Sequence, residues 1–197
     1  KIFDFFHKKK IIIFLKKKKN YKFNTILDIG AHTGESIELF LKNFNTKKII
    51  SFEASPLNYK NLKNNLNKLK KKFNKTEILI ENYAAGNENK ILKINQLVES
   101  SSSTLKEINK NSNYFNKKFF FLKKNKDVVL FSRLDVKMIL LKDYLNEKNI
   151  KNIDFLKIDT EGFEYEVILG FRNDLKNVKL ILFEHHYDNM ILKNYKF

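Results

Sequence analysis

From residue 25 onward, apolar and polar positions follow two rhythms. Thr25-Ile26-Leu27-Asp28-Ile29-Gly30 is a short apolar run closed by glycine, the pattern of a strand buried on both faces. Behind it, Ile37, Phe40, Leu41 and Phe44 recur at i, i+3, i+4 and i+7, predicting an amphipathic helix with Thr33 as its cap. A second strand is predicted over 48–53. Ser55 and Pro56, the one proline of the chain, then form an N-cap and first turn, and Tyr59, Leu62, Leu66 and Leu69 give that helix its inner face. A third strand is predicted over 77–83.

The middle of the chain is less regular. Residues 91–97 read as a strand, 99–104 as a polar loop, and 109–125, rich in Lys, Asn and Phe, as a surface excursion. Residues 128–131 are strand-like, and 136–148 read as a helix with Met138, Leu141 and Leu145 on one face. Regularity returns with a strand over 153–159 that ends in an acid. Glu161-Gly162-Phe163-Glu164 then leads into a helix through Leu169, stopped by Gly170. A last strand covers 178–184, followed by His185-His186-Tyr187. Strands alternating with helices of this length imply βαβ units and a parallel sheet. The expected fold class is therefore α/β and Rossmann-like, an open, mostly parallel sheet with helices on both faces. It occupies 25–197 as one domain, behind a basic and apolar segment at 1–24.

Composition narrows the classes. The 197 residues are 43% apolar, enough for one domain with a real core. Cysteine is absent, which removes disulfides, thiolate metal sites and thiol nucleophiles. That absence fits a reducing compartment, and a cytoplasmic location is expected. The net charge of +17 suggests nucleic acid, but the basic residues are lysines apart from Arg133 and Arg172. Arginine is the residue that forks phosphates and reads bases, so no nucleic-acid partner is expected. The segment over 5–19 sets an apolar run, Ile11 to Leu15, between lysine clusters. It is too short for the roughly 20 residues of a membrane span and lacks a small-residue cleavage site. It either packs on the domain or rests peripherally on an anionic membrane.

In open α/β sheets, ligands bind beyond the carboxyl ends of the strands. Asp28, Glu53, Asn82, Asp159 and Glu184 all fall at or near such ends. The loop Asp28-Ile29-Gly30-Ala31-His32-Thr33-Gly34 fails the G-x-G-x-x-G dinucleotide spacing, with His32 and Glu35 where glycines should stand. Glu35 would also repel a pyrophosphate at the helix start. Glu53 ends the second strand, about twenty residues on, where an acid can accept hydrogen bonds from ribose hydroxyls.

Three segments together resemble the FkbM family of methyltransferases. They are Ile26 to Gly34, then Phe52-Glu53-Ala54-Ser55-Pro56, then Leu156-Lys157-Ile158-Asp159-Thr160-Glu161-Gly162-Phe163-Glu164. The last is the most specific, because class I methyltransferases share the first two generally. The resemblance runs over roughly 25–186 and is weakest over 97–151. It implies a class I methyltransferase fold and O-methylation of a small-molecule or glycan acceptor, with S-adenosylmethionine as donor. It also implies that Asp28, Gly30, Ala31, His32 and Gly34 shape the cofactor pocket. Glu53 with Ala54 would take the ribose, and Asn82 with Ala84 the adenine side. Asp159 and Glu161 would face the methyl-transfer centre, where Asp159 is the first candidate base, Glu161 the second and His185 the third. The family often has Asn at the place of His32, and a Thr-Leu-Asp-Asp-like segment appears here as Arg133-Leu134-Asp135-Val136. The chain opens on Lys1 and the last strands of a class I sheet are not found before Phe197, so a C-terminally truncated fragment is expected.

Other readings stay open from sequence. Asp159 and Glu161 would also suit a helix N-terminus, where the dipole favours acids. His185 and His186 lack metal-ligand spacing, and no metal is expected. A nicotinamide-dependent oxidoreductase shares the ribose acid. A basic membrane- or nucleic-acid-binding module on a non-catalytic Rossmann-like fold is the alternative from a different class. The oligomeric state is not readable.

Overall fold

The computed structural model describes residues 2–17, 22–97, 103–123, 131–184 and 190–192. The main sheet is built from β1 (Thr25–Ile29), β2 (Lys48–Phe52), β3 (Glu77–Glu81), β7 (Phe155–Ile158) and β8 (Ile181–Phe183). Its order is β3-β2-β1-β7-β8, and every pairing is parallel. The chain runs outward from β1 to β3 and returns on the other side of β1. The switch point therefore lies between β1 and β7.

Successive residues of each strand face opposite layers. One face of β1, β2 and β7 carries Leu27, Ile29, Ile50, Phe52, Leu156 and Ile158 into a core with helices α5 (Leu141–Glu147) and α6 (Glu164–Gly170). The other face carries Ile26, Ile49 and Phe155 into a core with α1 (Ile2–Lys17), α2 (Glu35–Asn43) and α3 (Pro56–Lys72). Helices cover both faces, as a parallel sheet requires. From the segment before residue 25, residues 2–17 form α1, which packs here with Ile12 and Leu15 buried. No described helix is long and apolar enough to cross a membrane.

Local details follow the chemistry. Ser55 Oγ accepts from the Asn58 amide and Pro56 opens α3. Thr33 does not cap α2. Gly34 takes that position with φ 101°, and Thr33 Oγ1 instead donates to Glu35 at 2.7 Å. The reason is steric, since the turn needs a left-handed residue and glycine adopts it without strain.

Two predicted segments differ in the structure. Residues 136–140 do not begin a helix but end a long strand, β6 (Phe131–Leu140), and α5 begins at Leu141. Val136 and Met138 are buried while Arg133, Asp135 and Lys137 are exposed, so the local period is two. Met138 fell within helical spacing of Leu141 only because the strand runs directly into the helix. β6 pairs with β4 (Ala84–Gly86) and β5 (Lys90–Leu97) in a second, three-stranded sheet. The excursion over 109–125 contains α4 (Asn113–Lys123). Ser112 Oγ accepts from the Phe115 amide at its start, and Phe115 and Phe119, one turn apart, are buried against Leu97, Met190 and Ile191. The residues at 128–130 lie outside the described set.

If α4 is part of the packed structure, Phe119→Ala should lower the unfolding free energy by about 3–5 kcal/mol in urea titration. A surface excursion would lose no more than about 0.5 kcal/mol.

Candidate active site

A cavity of about 790 Å³ opens at the carboxyl ends of β1, β2, β7 and β8. That volume lies within the range of small-molecule sites. Gly30, Ala31, His32, Glu53, Ala54, Ala84, Asp159 and Glu161 line it. The structure thus brings most of the sequence-predicted residues into one space. His185 lies outside the described residues.

The other three predicted residues sit behind the wall. Asp28 is fully buried and accepts from Ser36 Oγ at 2.6 Å. Gly34 packs toward Leu62 and Leu69. Asn82 donates its side-chain amide to the carbonyls of Glu53 at 2.8 Å and Ala54 at 3.3 Å, and so fixes the end of β2.

Glu53 is nearly fully buried, and its two oxygens are held separately. Oε1 accepts from the Ser55 amide at 2.9 Å and Oε2 from the His32 amide at 2.8 Å. A carboxylate has about four acceptor positions, so lone pairs remain for a ligand. Burial pushes its carboxyl above the ordinary glutamate value, against the pull of the two amide bonds.

The residue that organises the floor is Lys157, which sequence reasoning placed inside a motif but gave no role. It is buried on the α1–α3 face of the sheet, in one cross-strand row with Ser51 and Asp28. Its Nζ donates to the Gly30 carbonyl at 2.6 Å and lies 3.2 Å from Asp28 Oδ1 and 3.3 Å from Asp159 Oδ2. Burial acts to lower its pKa, but the two carboxylates outweigh that and hold it above the ordinary lysine value. The available signal was a lysine at a position where a strand buried on both faces should be apolar.

Beyond β7 the chain turns through Glu161, with φ 51°, and Gly162, with φ 96°. Glu164, fully buried, accepts from the Gly162 amide at 2.9 Å and from Thr160 N and Oγ1 at 3.3 and 3.2 Å. Asp159 and Glu161 are therefore not a helix N-terminal acid pair. α6 starts only at Glu164, and the two acids are turned to the cavity. Gly30 tolerates no side chain, because a Cβ there would sit 1.8 Å from the Asp159 carbonyl oxygen.

Three other titratable groups set the electrostatics. His32, also left-handed with φ 50°, is raised in pKa mainly by its hydrogen bond to Glu35. Burial favours neutral Glu35, but the bonds from His32 and Thr33 prevail and lower it to about 2. Glu184 follows β8 at the rim of the cavity, still open to solvent, and partial desolvation together with the Asp159 carboxylate pushes it up to about 7. Sequence reading placed it at the right edge without a role. Among the described residues no cluster suits a metal ion.

Three outcomes follow for stability. Lys157→Met leaves Asp28 buried without its cation and should cost about 3–5 kcal/mol in denaturant titration; adding Asp28→Asn should recover part of that. Between the ordinary 4.5 and about 7, folded Glu184 holds more proton than the unfolded chain. Its contribution to stability therefore falls as pH rises through that window, and Glu184→Gln should remove the fall. Glu35 has the opposite sign: its contribution is present above 4.5 and is lost as pH drops toward 2.

The chain matches the family model described as Methyltransferase FkbM domain over residues 28–193. No curated protein sequence matches it. Among solved structures it is similar to the crystal structure of methyltransferase FkbM from Methylobacillus flagellatus KT, at 16% identity and a TM-score of 0.49. That similarity covers 77% of this chain and 30% of the other, so the chain spans under a third of that protein's length. With its Rossmann-like parallel sheet and the family match over most of its length, the chain belongs to the FkbM methyltransferase family.

Proposed function

We propose that this chain binds S-adenosylmethionine in the cavity and transfers its methyl group to a hydroxyl of a small-molecule or sugar-containing acceptor. The observation that carries this reading is Glu53. It is a buried carboxylate fixed by two backbone amides at the end of β2, with acceptor positions left over at the cavity wall. Vicinal ribose hydroxyls match such an acceptor. The surroundings fit the rest of the molecule. Gly30, Ala31, Ala54, Ala84 and Ala85 keep the wall close to the backbone, and Tyr83, Ile94 and Phe163 offer apolar surface to a base. The carboxyls of Glu35, Glu53, Asp159, Glu161 and Glu184 make the lining acidic, which suits a sulfonium cation and disfavours a pyrophosphate.

When bound, S-adenosylmethionine supplies a methyl group activated by positive sulfur. The protein's share is proximity, alignment and a base for the acceptor hydroxyl. In this reading Glu53 fixes the ribose, and the walls from β1 and β4 hold the base. Asp159 accepts a hydrogen bond from the acceptor hydroxyl at the β7 edge, with Glu161 beside it. Asp28, Gly34 and Asn82 act from behind, by holding Lys157, the turn into α2 and the end of β2.

Isothermal titration of the chain with S-adenosylmethionine should give micromolar binding, and NAD should give none. Glu53→Ala removes charge-assisted hydrogen bonds worth roughly 1.5–3 kcal/mol each and should weaken Kd by at least about tenfold. Unchanged affinity in that variant, or no binding by the folded wild type, would overturn the assignment.

A further inference from the structure

Helix α1 is apolar on two sides. Its inner side buries Ile12 and Leu15 against the sheet, with Ile11 packed beside them. A helix with an apolar inner side presents a polar outer side when that side faces water. α1 departs from this, because Ile13 is 46% and Phe14 54% exposed. Among the described residues they are the only large apolar side chains that stand exposed at consecutive positions. Beside Phe14, a shallow apolar groove of about 260 Å³ continues over Leu180, Ile181 and Leu182 at the β8 edge. The outward apolar surface is therefore continuous, which scattered single side chains do not produce.

The charge around this surface has one sign. Lys9, Lys10, Lys16 and Lys17 are exposed. Each stands three or four positions from Ile13 or Phe14, so the four surround that pair on the helix surface. From Lys8 to Leu27 the sequence holds no Asp or Glu. Helix α3 shows what a lysine-rich composition does without such a pattern. Beyond Leu57 its exposed positions are all Lys or Asn, a face suited to water alone.

We propose that α1 is an interfacial helix, which lays this chain on an anionic lipid surface through Ile13, Phe14 and the lysines around them. The two apolar side chains enter the boundary between headgroups and acyl chains. The lysine stems lie along the same apolar layer, and their ammonium groups end at the lipid phosphates. An anionic bilayer answers both features, because it offers apolar depth and negative charge together. Nucleic acid would match the charge but leave Ile13 and Phe14 in water. α1 lies on the surface, since no described helix is long and apolar enough to cross a membrane. Lys8 and Ile11 of the same helix line the cavity, so docking sets the cavity beside the headgroup layer. Docking needs no cofactor, and it stands or falls apart from the S-adenosylmethionine assignment.

The test is flotation of the whole chain with vesicles of phosphatidylcholine, alone or with about one quarter phosphatidylserine. Binding is expected only to the anionic vesicles, and it should fall as salt shortens the Debye length. Ile13→Ser with Phe14→Ser should weaken it at least about tenfold, with the unfolding midpoint near that of the wild type. Lys9→Gln with Lys16→Gln should weaken it by a comparable factor. Lys68→Gln with Lys71→Gln removes the same charge from the polar face of α3 and should leave binding nearly unchanged. The chain has no Trp, so Phe14→Trp supplies a lone reporter whose emission should shift to the blue on anionic vesicles. Equal binding to both vesicle types, an equal loss from the α3 pair, or a tryptophan that stays in water would overturn the proposal. So would absence of vesicle binding by the folded wild type, or tighter binding to a DNA duplex than to the vesicles. Should a serine or glutamine variant fold poorly, the two vesicle types and the tryptophan emission decide.

Discussion

A buried lysine ammonium between two carboxylates holds the cavity end of this fold together. Lys157 Nζ meets Asp28, Asp159 and the Gly30 carbonyl at once. Those partners belong to the last part of β1, the loop after it, and the residue after β7. An isolated ammonium in a protein interior is heavily penalised, so the folded chain is stable only when all three arrive together. The same contact that joins the two central strands also fixes where their loops diverge. The cavity therefore forms at the switch point because the one buried cation of the sheet's α1–α3 face, among the described residues, is anchored there.

The neighbouring rows show how narrowly this polarity is confined. On the α1–α3 face, the row through Ile78, Ile49, Ile26, Phe155 and Leu180 is apolar throughout. The next row toward the carboxyl ends runs Ile80, Ser51, Asp28, Lys157 and Leu182. Its polar centre is three residues wide, and Ser36 closes it from α2. The opposite face of the same strands is apolar through Leu27, Ile29, Leu156 and Ile158. Hydrophobic burial thus supplies the bulk of the stabilisation, while the polar row sets the register and carries the site.

Two devices then turn the loops toward the cavity. Gly30 passes so close to Asp159 that no other residue fits, which ties the β1 and β7 loops together. Glu164 bonds back to Thr160 and Gly162, so the left-handed turn at Glu161 is held in place. Of the acids in Asp159-Thr160-Glu161-Gly162-Phe163-Glu164, the first and second face the cavity and the third builds the loop. The motif is one unit, in which the acids at the cavity wall depend on a buried acid behind them.

The sequence by itself determined the strand–helix alternation over 25–83 and 153–184, the glycine turn after β1, the Ser55–Pro56 helix start and the acids at the strand ends. These are legible because burial period, capping and turn chemistry act between residues a few positions apart. It misread 136–140, where a strand passes into a helix without a turn residue. It also took 109–125 for surface, because Phe115 and Phe119 lie among lysines and asparagines and bury against residues far along the chain. Only the tertiary structure decided that Asp28, Gly34 and Asn82 stand behind the cavity wall, that Lys157 is the hub, and that Glu184 emerges beside Asp159. Each of those facts depends on which strands become neighbours. Asp28 and Lys157 are far apart in sequence yet opposite in register, and a charge declares its partner only once the sheet has brought the two together.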